Sequence, residues 1–184
     1  MIMTVVATVG GVPVRVDEVD AREDQLRTSR LASSLPQPGT SEGRQLRRWL
    51  TQQLVTERVA AEEAATRGLT AEGAPSEDAL LPDTTTRLEI GSVAAAVLAD
   101  PLARALFANV TAAVDITAAQ VREYSERNPR RFGSSEEIAD HLRGAAKRRA
   151  FRLWLDARCA ELVELAPGYE HPGDPRQPDN THRH

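Results

Sequence analysis

The longest helical pattern in the chain covers residues 134–165, which contain no proline. Serines and glutamates at its start are typical of a helix N-terminus, because serine caps free amides and carboxylates favour the positive end of the helix dipole. In its second half, apolar residues cover most of the circumference: Phe151, Leu153, Trp154, Leu155, Cys159, Leu162 and Val163. The pattern predicts one long helix that ends near Leu165 and is enclosed in its second half by other elements.

A run of valines over residues 4–16 predicts two short strands. Gly10 and Gly11 lie between them, and two glycines supply the positive φ angles that a tight hairpin turn needs. Because an isolated hairpin is only marginally stable, we expect it to pack on helices or to gain a third strand. The candidate for that strand is the apolar segment 113–116.

Four more segments have helical periodicity or helix-capping signals. They cover residues 17–31, 42–67, 90–109 and 117–128, and Pro101 is expected to divide the third into two short helices. Residues 70–86 are small, polar or proline without periodicity, which predicts a surface loop. The expected fold is mainly α, with a short N-terminal β-hairpin and one helical domain over residues 1–165.

Composition supports helices and limits the possible partners. Aromatic residues make up only 4% of the 184 residues and alanine is abundant, which favours helices over a sheet sandwich. The 23 basic residues are interleaved with 27 acidic ones, so no basic face for nucleic acid is expected. The apolar runs are too short for a membrane span, no secretory signal is evident, and one cysteine excludes an internal disulfide. We therefore expect a cytoplasmic protein.

Four stretches occur in the order of a known family. The opening VVATVGGVPVRVDEVD resembles the strand-turn-strand-helix start of the SurA and PpiC type of peptidyl-prolyl isomerase chaperones. LRRWLTQQLVTERVAAEEAATRGLT resembles the family's next helix. ITAAQVREYSERNPRRF is similar to its "V-T-x-x-E-V-x-x-YY-x-x-N" segment, although Ser125 stands where a second tyrosine is usual. Residues 134–165 resemble the family's C-terminal helix.

The chain departs from this family at its catalytic domain. In the isomerases a parvulin domain lies between the "YY-x-x-N" helix and the final helix, whereas only Gly133 intervenes here. The resemblance therefore implies a holding domain like the SurA N-domain, without prolyl isomerase activity. Its expected task is to hold a peptide segment or protein partner in an apolar groove.

The tail, residues 166–184, contains four prolines and three of the four histidines of the chain. Prolines at this density exclude helix and sheet. His171, His182 and His184, with a nearby carboxylate, would suit a transition metal such as zinc, nickel, copper or iron. Their spacing matches no strong metal motif, so a plain irregular proline-rich tail is the alternative.

Three aromatic residues are the candidates for a ligand site. Trp49, Phe107 and Trp154 would line an apolar pocket between the helices, and simple core packing is the alternative. The leading functional hypothesis is chaperone-like binding of a polypeptide. The second is a metal-dependent or small-ligand-binding enzyme, for example of specialised metabolism, whose pocket for a small hydrophobic molecule is capped by the histidine tail. The third is a structural subunit that forms a homodimer.

Overall fold

The computed structural model of the protein describes residues 3–174 and 176, and it is mainly α with a short N-terminal antiparallel hairpin, as the sequence predicted. The helices are α1 (Val16–Arg27), α2 (Ser41–Thr66), α3 (Glu77–Leu80), α4 (Thr84–Ile90), α5 (Ser92–Val97), α6 (Pro101–Val110), α7 (Ala118–Arg127) and α8 (Ser135–Leu162). The strands are β1 (Val5–Val9), β2 (Val12–Arg15) and β3 (Val163–Leu165). A short 3₁₀ turn covers Ala32–Ser34.

The residues divide into two compact units. The helical unit is Ala60–Ala157, and the sheet unit consists of the described residues up to Val59 and from Arg158 onward. Both α2 and α8 contribute residues to each unit. None of the helices within residues 3–174 is both long and apolar enough to cross a lipid bilayer.

The hairpin prediction is confirmed in the sheet unit. β1 and β2 pair antiparallel, with Val9 opposite Val12, and the turn residues Gly10 and Gly11 have φ angles of 55° and 80°. These left-handed angles explain why two glycines stand at the turn. The sheet side chains join an apolar core with residues of α1 and α2: Val6, Ala7, Val9, Val14, Val19, Leu50, Leu54, Val55 and Val59.

The third strand is not the predicted segment 113–116. It is β3, which pairs antiparallel with β1 so that Ala7 lies opposite Leu165 and the strand order is β2-β1-β3. The Gly10 amide donates to the Leu162 carbonyl at 2.9 Å, which places the start of β3 directly at the end of α8. The predicted helix end near Leu165 was therefore wrong by three residues, because Val163 and Leu165 alternate with exposed Glu164 as strand residues do.

A carboxylate on α1 connects two arginines in the sheet unit. Glu23 is buried and accepts hydrogen bonds from Arg27 Nη2 and Arg47 Nη1, each at 2.6 Å. Burial raises the pKa of Glu23, but the hydrogen bonds from both arginines outweigh this effect and lower that pKa overall. The carboxylate thus stabilises the fold in its charged form.

Glu23→Gln is expected to lower the free energy of unfolding by about 1–3 kcal/mol at pH 7, since it removes charge-assisted hydrogen bonds. Because the folded pKa lies below the unfolded value of about 4.3, the stabilisation is complete above that value and disappears as the pH falls through the folded pKa. Urea denaturation followed by circular dichroism at pH 7 and near pH 3 measures this difference. Exposed Glu62→Gln on α2 is the control, with an expected change below about 0.5 kcal/mol. An effect of Glu23→Gln that is equal at both pH values would contradict the assignment.

The predicted loop over residues 70–86 is wrong in its second half. Ser76 accepts a hydrogen bond from the Ala79 amide and starts α3, and Asp83 forms a reciprocal capping box with Thr86 at the start of α4. Leu81 between them is only 1% exposed. Capping side chains thus form helices in a segment too short to have visible apolar periodicity.

The second half of α8 is not enclosed on all sides, contrary to the prediction. Phe151 and Leu155 are buried, but Leu153 is 59% exposed. The other apolar residues there are half-buried: Trp154, Cys159, Leu162 and Val163. Leu153 lies about 200° around the helix from both buried residues, so α8 has one buried face and one exposed face.

Candidate functional site

The three predicted aromatic residues fall into different units. Phe107 and Trp154 both contact Phe151 in the helical unit, with ring centroids 4.9 Å and 5.9 Å apart, whereas Trp49 is a half-buried residue of the sheet unit. The guanidinium of Arg67 lies over the Trp154 ring at 5.4 Å. The aromatic cluster around Phe151 contributes to core packing, and the ligand-binding role of these residues stays a prediction.

The predicted metal ligands lie mostly outside the described residues. His182 and His184 are not among them, and His171 is exposed, with its Nδ1 accepting a hydrogen bond from the Gly173 amide at 3.0 Å. Within the described ranges, no group of three or more His, Cys, Asp or Glu side chains is arranged to hold a metal ion. The metal site of the tail therefore stays a prediction.

The helical unit contains an open groove between α7 and α8, which we call the α7–α8 groove. It has a volume of about 360 Å³. Its lining residues are Ile116, Gln120, Glu123, Tyr124, Arg127, Asn128, Leu142 and Ala146. Half of these residues are apolar or aromatic and half are polar. Two of the polar residues, Glu123 and Arg127, form an ion pair at the rim of the groove.

Helix α7 borders this groove and is held by few contacts. Thr117 and Gln120 form a capping box that fixes its start, but none of its ten residues is buried. Its ring contacts are to Phe132 and His141, at 6.1 Å and 5.6 Å from the Tyr124 ring. Burial and neighbouring positive charges lower the pKa of His141, so this imidazole is neutral at pH 7 and packs as an aromatic ring. A helix this short is marginal alone, and this one gains little burial from its packing.

Tyr124 carries the most unusual polar atom of the groove. Its hydroxyl is buried and has no hydrogen-bond partner among the described residues. Buried hydroxyl groups in proteins are almost always paired, because an unpaired one loses its hydration without compensation. The hydroxyl therefore lacks a donor or acceptor among those residues, beside a groove that Tyr124 lines.

A second, smaller cavity lies between α3, α6 and α8, and we call it the α3–α8 pocket. Its volume is about 220 Å³. The lining residues are Ala79, Leu80, Phe107, Asp140, Arg143, Gly144, Lys147 and Arg148. It combines an apolar floor with three cationic side chains, of which Lys147 is the only lysine in the chain.

Of the residues that line the groove and the pocket, the sequence predicts only Phe107 as a ligand-site residue. It also predicts the helix that carries Tyr124. Sequence reasoning missed Arg148, although a signal was present: Arg148 lies three and seven residues before Phe151 and Leu155, and therefore on their face of α8. A charged residue on a buried helix face indicates either an internal partner or a ligand.

A third concave surface lies at the hairpin and carries no comparable unpaired group. It is formed by Val12, Pro13, Arg15, Asp17, Glu18 and Arg58. Arg58 donates to the Glu18 carboxylate and to the Pro13 carbonyl, so the fold itself uses this charge.

The protein is mainly α, and its helical unit contains two cavities whose lining is partly apolar. Comparison with known proteins adds one match: a family of unknown function, DUF7158, matches residues 5–42. No curated protein and no solved structure matches the chain. The matched residues cover the hairpin, α1 and the first two residues of α2, and they include no residue of either the α7–α8 groove or the α3–α8 pocket.

Proposed function

We propose that the protein holds an extended segment of a polypeptide in the α7–α8 groove, in the manner of a chaperone holding domain and without prolyl isomerase activity. The observation that carries this proposal is a partly apolar groove lined by Tyr124, whose buried hydroxyl has no hydrogen-bond partner among the described residues. An extended peptide would supply both a cover for the apolar floor and a hydrogen-bond partner for this hydroxyl. Its side chains cover the apolar floor, and its backbone offers a hydrogen bond to the hydroxyl.

The dimensions and charges of the groove support a peptide of limited length and neutral character. A volume of about 360 Å³ is enough for a few side chains, at the lower end of the usual range for ligand pockets. Glu123 and Arg127 at the rim neutralise each other, so the groove favours neither acidic nor basic segments. The proposed occupant is an unfolded segment with apolar side chains.

The family resemblance gives independent support. Six of the eight groove residues belong to residues 116–128, the segment that resembles the "V-T-x-x-E-V-x-x-YY-x-x-N" helix of the SurA and PpiC type of chaperones. The proposal includes a cytoplasmic location, which the single cysteine favours because disulfides are rare in that compartment.

Ala146→Glu is expected to weaken peptide binding about tenfold or more, because it places a carboxylate on the apolar floor beside the peptide. The measurement is fluorescence anisotropy with a panel of fluorescein-labelled unstructured peptides rich in apolar residues. Ala157→Glu is the matched control, since it introduces the same group at an exposed position of α8. Its expected affinity is that of the unchanged protein.

A second variant tests the role of the hydroxyl directly. Tyr124→Phe removes a buried group without a partner among the described residues, so the thermal midpoint is expected to stay equal or to rise while peptide affinity falls about 2- to 10-fold. The proposal fails if no peptide of the panel binds, or if Ala146→Glu and Ala157→Glu have equal effects.

A further inference from the structure

Arg148 in the α3–α8 pocket is a buried cation without a counter-ion among the described residues. It is only 8% exposed, and its Nε is buried without a hydrogen-bond partner. Its single hydrogen bond to the described residues runs from Nη1 to the Leu80 carbonyl, at 3.3 Å. No carboxylate among those residues lies within ion-pair distance of it. Burial of a charge without a partner is strongly unfavourable, so a group that compensates this charge is expected.

A purely structural arginine in the same unit has a different environment. Arg104 donates to three carbonyl oxygens, those of Pro75, Leu98 and Ala99, at 2.8 Å, 3.0 Å and 2.8 Å. Arg148 has one long hydrogen bond instead and lines a cavity. The packing of the unit therefore leaves most donors of the Arg148 guanidinium without an acceptor among the described residues.

The sequence around Arg148 makes room for its guanidinium. Gly144 lies one helical turn earlier on α8, and a Cβ atom there would come within 3.1 Å of Arg148 Nη1. That distance is tighter than an ordinary van der Waals contact. The glycine thus keeps the guanidinium at the wall of the pocket.

The remaining charges of the pocket also favour an anion. Asp140 accepts a hydrogen bond from Arg143 Nη1 at 3.1 Å and Asp115 accepts one from Arg143 Nε at 3.1 Å, so these two carboxylates share one guanidinium. Lys147 forms no hydrogen bond or ion pair with the described residues, although its charge contributes to lowering the pKa of Asp115. Lys147 and Arg148 leave the lining with an excess of positive charge.

One further carboxylate is close enough to interact with Arg148. The pKa of Asp83 is lowered mainly by the hydrogen bond from the Thr86 amide, and the charge of Arg148 contributes to this shift. Asp83 nevertheless uses its carboxylate to cap α4 and forms no ion pair with Arg148. It reduces the positive potential without occupying the pocket.

We propose that the α3–α8 pocket binds a small carboxylic acid with an apolar body, whose carboxylate pairs with Arg148 and whose body packs on Phe107 and Leu80. Arginine donors match a carboxylate in geometry as well as in charge. The volume of about 220 Å³ suits such a ligand, since an apolar cavity of about 150 Å³ is enough for benzene. This site is separate from the α7–α8 groove and does not depend on peptide binding.

The test uses sodium benzoate as the ligand and benzamide as its neutral analogue. Titrations are followed in ¹H–¹⁵N correlation spectra of the unaltered protein at low ionic strength. Saturating shifts are expected for the amides of Gly144, Lys147 and Arg148 with benzoate. Benzamide is expected to bind at least about tenfold more weakly, because it lacks the charge that Arg148 pairs with.

Arg148→Met is expected to weaken benzoate binding about 10- to 100-fold, the range for a lost hydrogen bond to a charged group. Its thermal midpoint is expected to stay equal or to rise, because an unpaired buried cation is replaced by an apolar side chain of similar length. Arg149→Met is the matched control, since Arg149 is the next residue of α8 and is exposed. It should leave benzoate affinity unchanged.

Two further variants keep the test decisive if Arg148→Met folds poorly. Lys147→Gln removes the second cation of the lining that forms no ion pair with the described residues, and it is expected to weaken benzoate binding by a few-fold. Tyr124→Phe in the groove should have no effect on benzoate binding. Shifts that do not saturate, equal affinity for benzoate and benzamide, or unchanged affinity in both Arg148→Met and Lys147→Gln would overturn the proposal.

Discussion

Replacing Phe151 with alanine is expected to lower the free energy of unfolding of the helical unit by about 3–5 kcal/mol. Phe151 is fully buried on α8, and its ring contacts those of Phe107 and Trp154. Truncation removes this apolar surface and leaves a cavity that the packed neighbours fill only in part. Urea denaturation followed by far-ultraviolet circular dichroism gives the difference.

Leu153→Ala is the matched control for Phe151→Ala. Leu153 lies two residues further along the same helix and is largely exposed, so its truncation should change the free energy of unfolding by less than about 0.5 kcal/mol. A large loss for Leu153→Ala would mean that the outer face of α8 is covered in solution. A loss below about 1 kcal/mol for Phe151→Ala would contradict the central place of this ring in the core.

Gly91→Ala is expected to destabilise the protein by about 2–4 kcal/mol, for two separate reasons. Gly91 joins α4 to α5 with φ 93° and ψ 151°, a conformation that is essentially restricted to glycine. A Cβ atom there would also lie 2.6 Å from Arg152 Nη1. That nitrogen donates a hydrogen bond to the Ile90 carbonyl at 2.5 Å, so it cannot move away without losing a partner.

Gly73→Ala separates the two contributions. Gly73 also has a positive φ angle, 72°, but a Cβ atom there would meet nothing within 4 Å. Its substitution should therefore cost only the conformational strain, about 1–2 kcal/mol. Equal losses for Gly73→Ala and Gly91→Ala, measured by the same denaturation experiment, would show that the contact with Arg152 contributes nothing.

Local signals in the sequence predicted the elements that depend on neighbouring residues. Gly10 and Gly11 specified the hairpin turn because the required backbone angles are a property of glycine itself. Pro101 correctly predicted the division between α5 and α6, since Asp100 caps α6 and proline fits the first helical turn. Thr117 correctly predicted the start of α7, because its side chain caps the first turn of that helix.

Features that depend on distant residues were missed or misplaced. Nothing near Val163 indicates that it will pair with Val9, and the same valine fits equally well into a helical pattern. The predicted strand 113–116 instead lies in the helical unit, where Asp115 interacts with Arg143. Strand pairing between remote segments is decided by tertiary packing, which a periodicity argument cannot detect.

The unsatisfied groups of the candidate sites also depend on distant residues, so they could not be predicted from the sequence. Tyr124 was recognised as part of a helix, but its unpaired hydroxyl becomes visible only when the surrounding atoms are in place. Arg148 stood on the apolar face of α8 in the sequence, yet whether a carboxylate would reach it depends on the positions of α3 and α4. Sequence patterns therefore located the helices that form the groove and pocket, and only the three-dimensional arrangement located the unsatisfied groups.

The position of β3 sets an order of events during protein synthesis. β1 and β2 leave the ribosome early, whereas β3 is made only after all eight described helices. At a translation rate of about 5–20 residues per second, this delay is about 7 to 30 seconds. During that interval the nascent hairpin has an open edge at β1, where another strand could add. The pairing of β3 with β1 then covers this edge and removes the site for such intermolecular association.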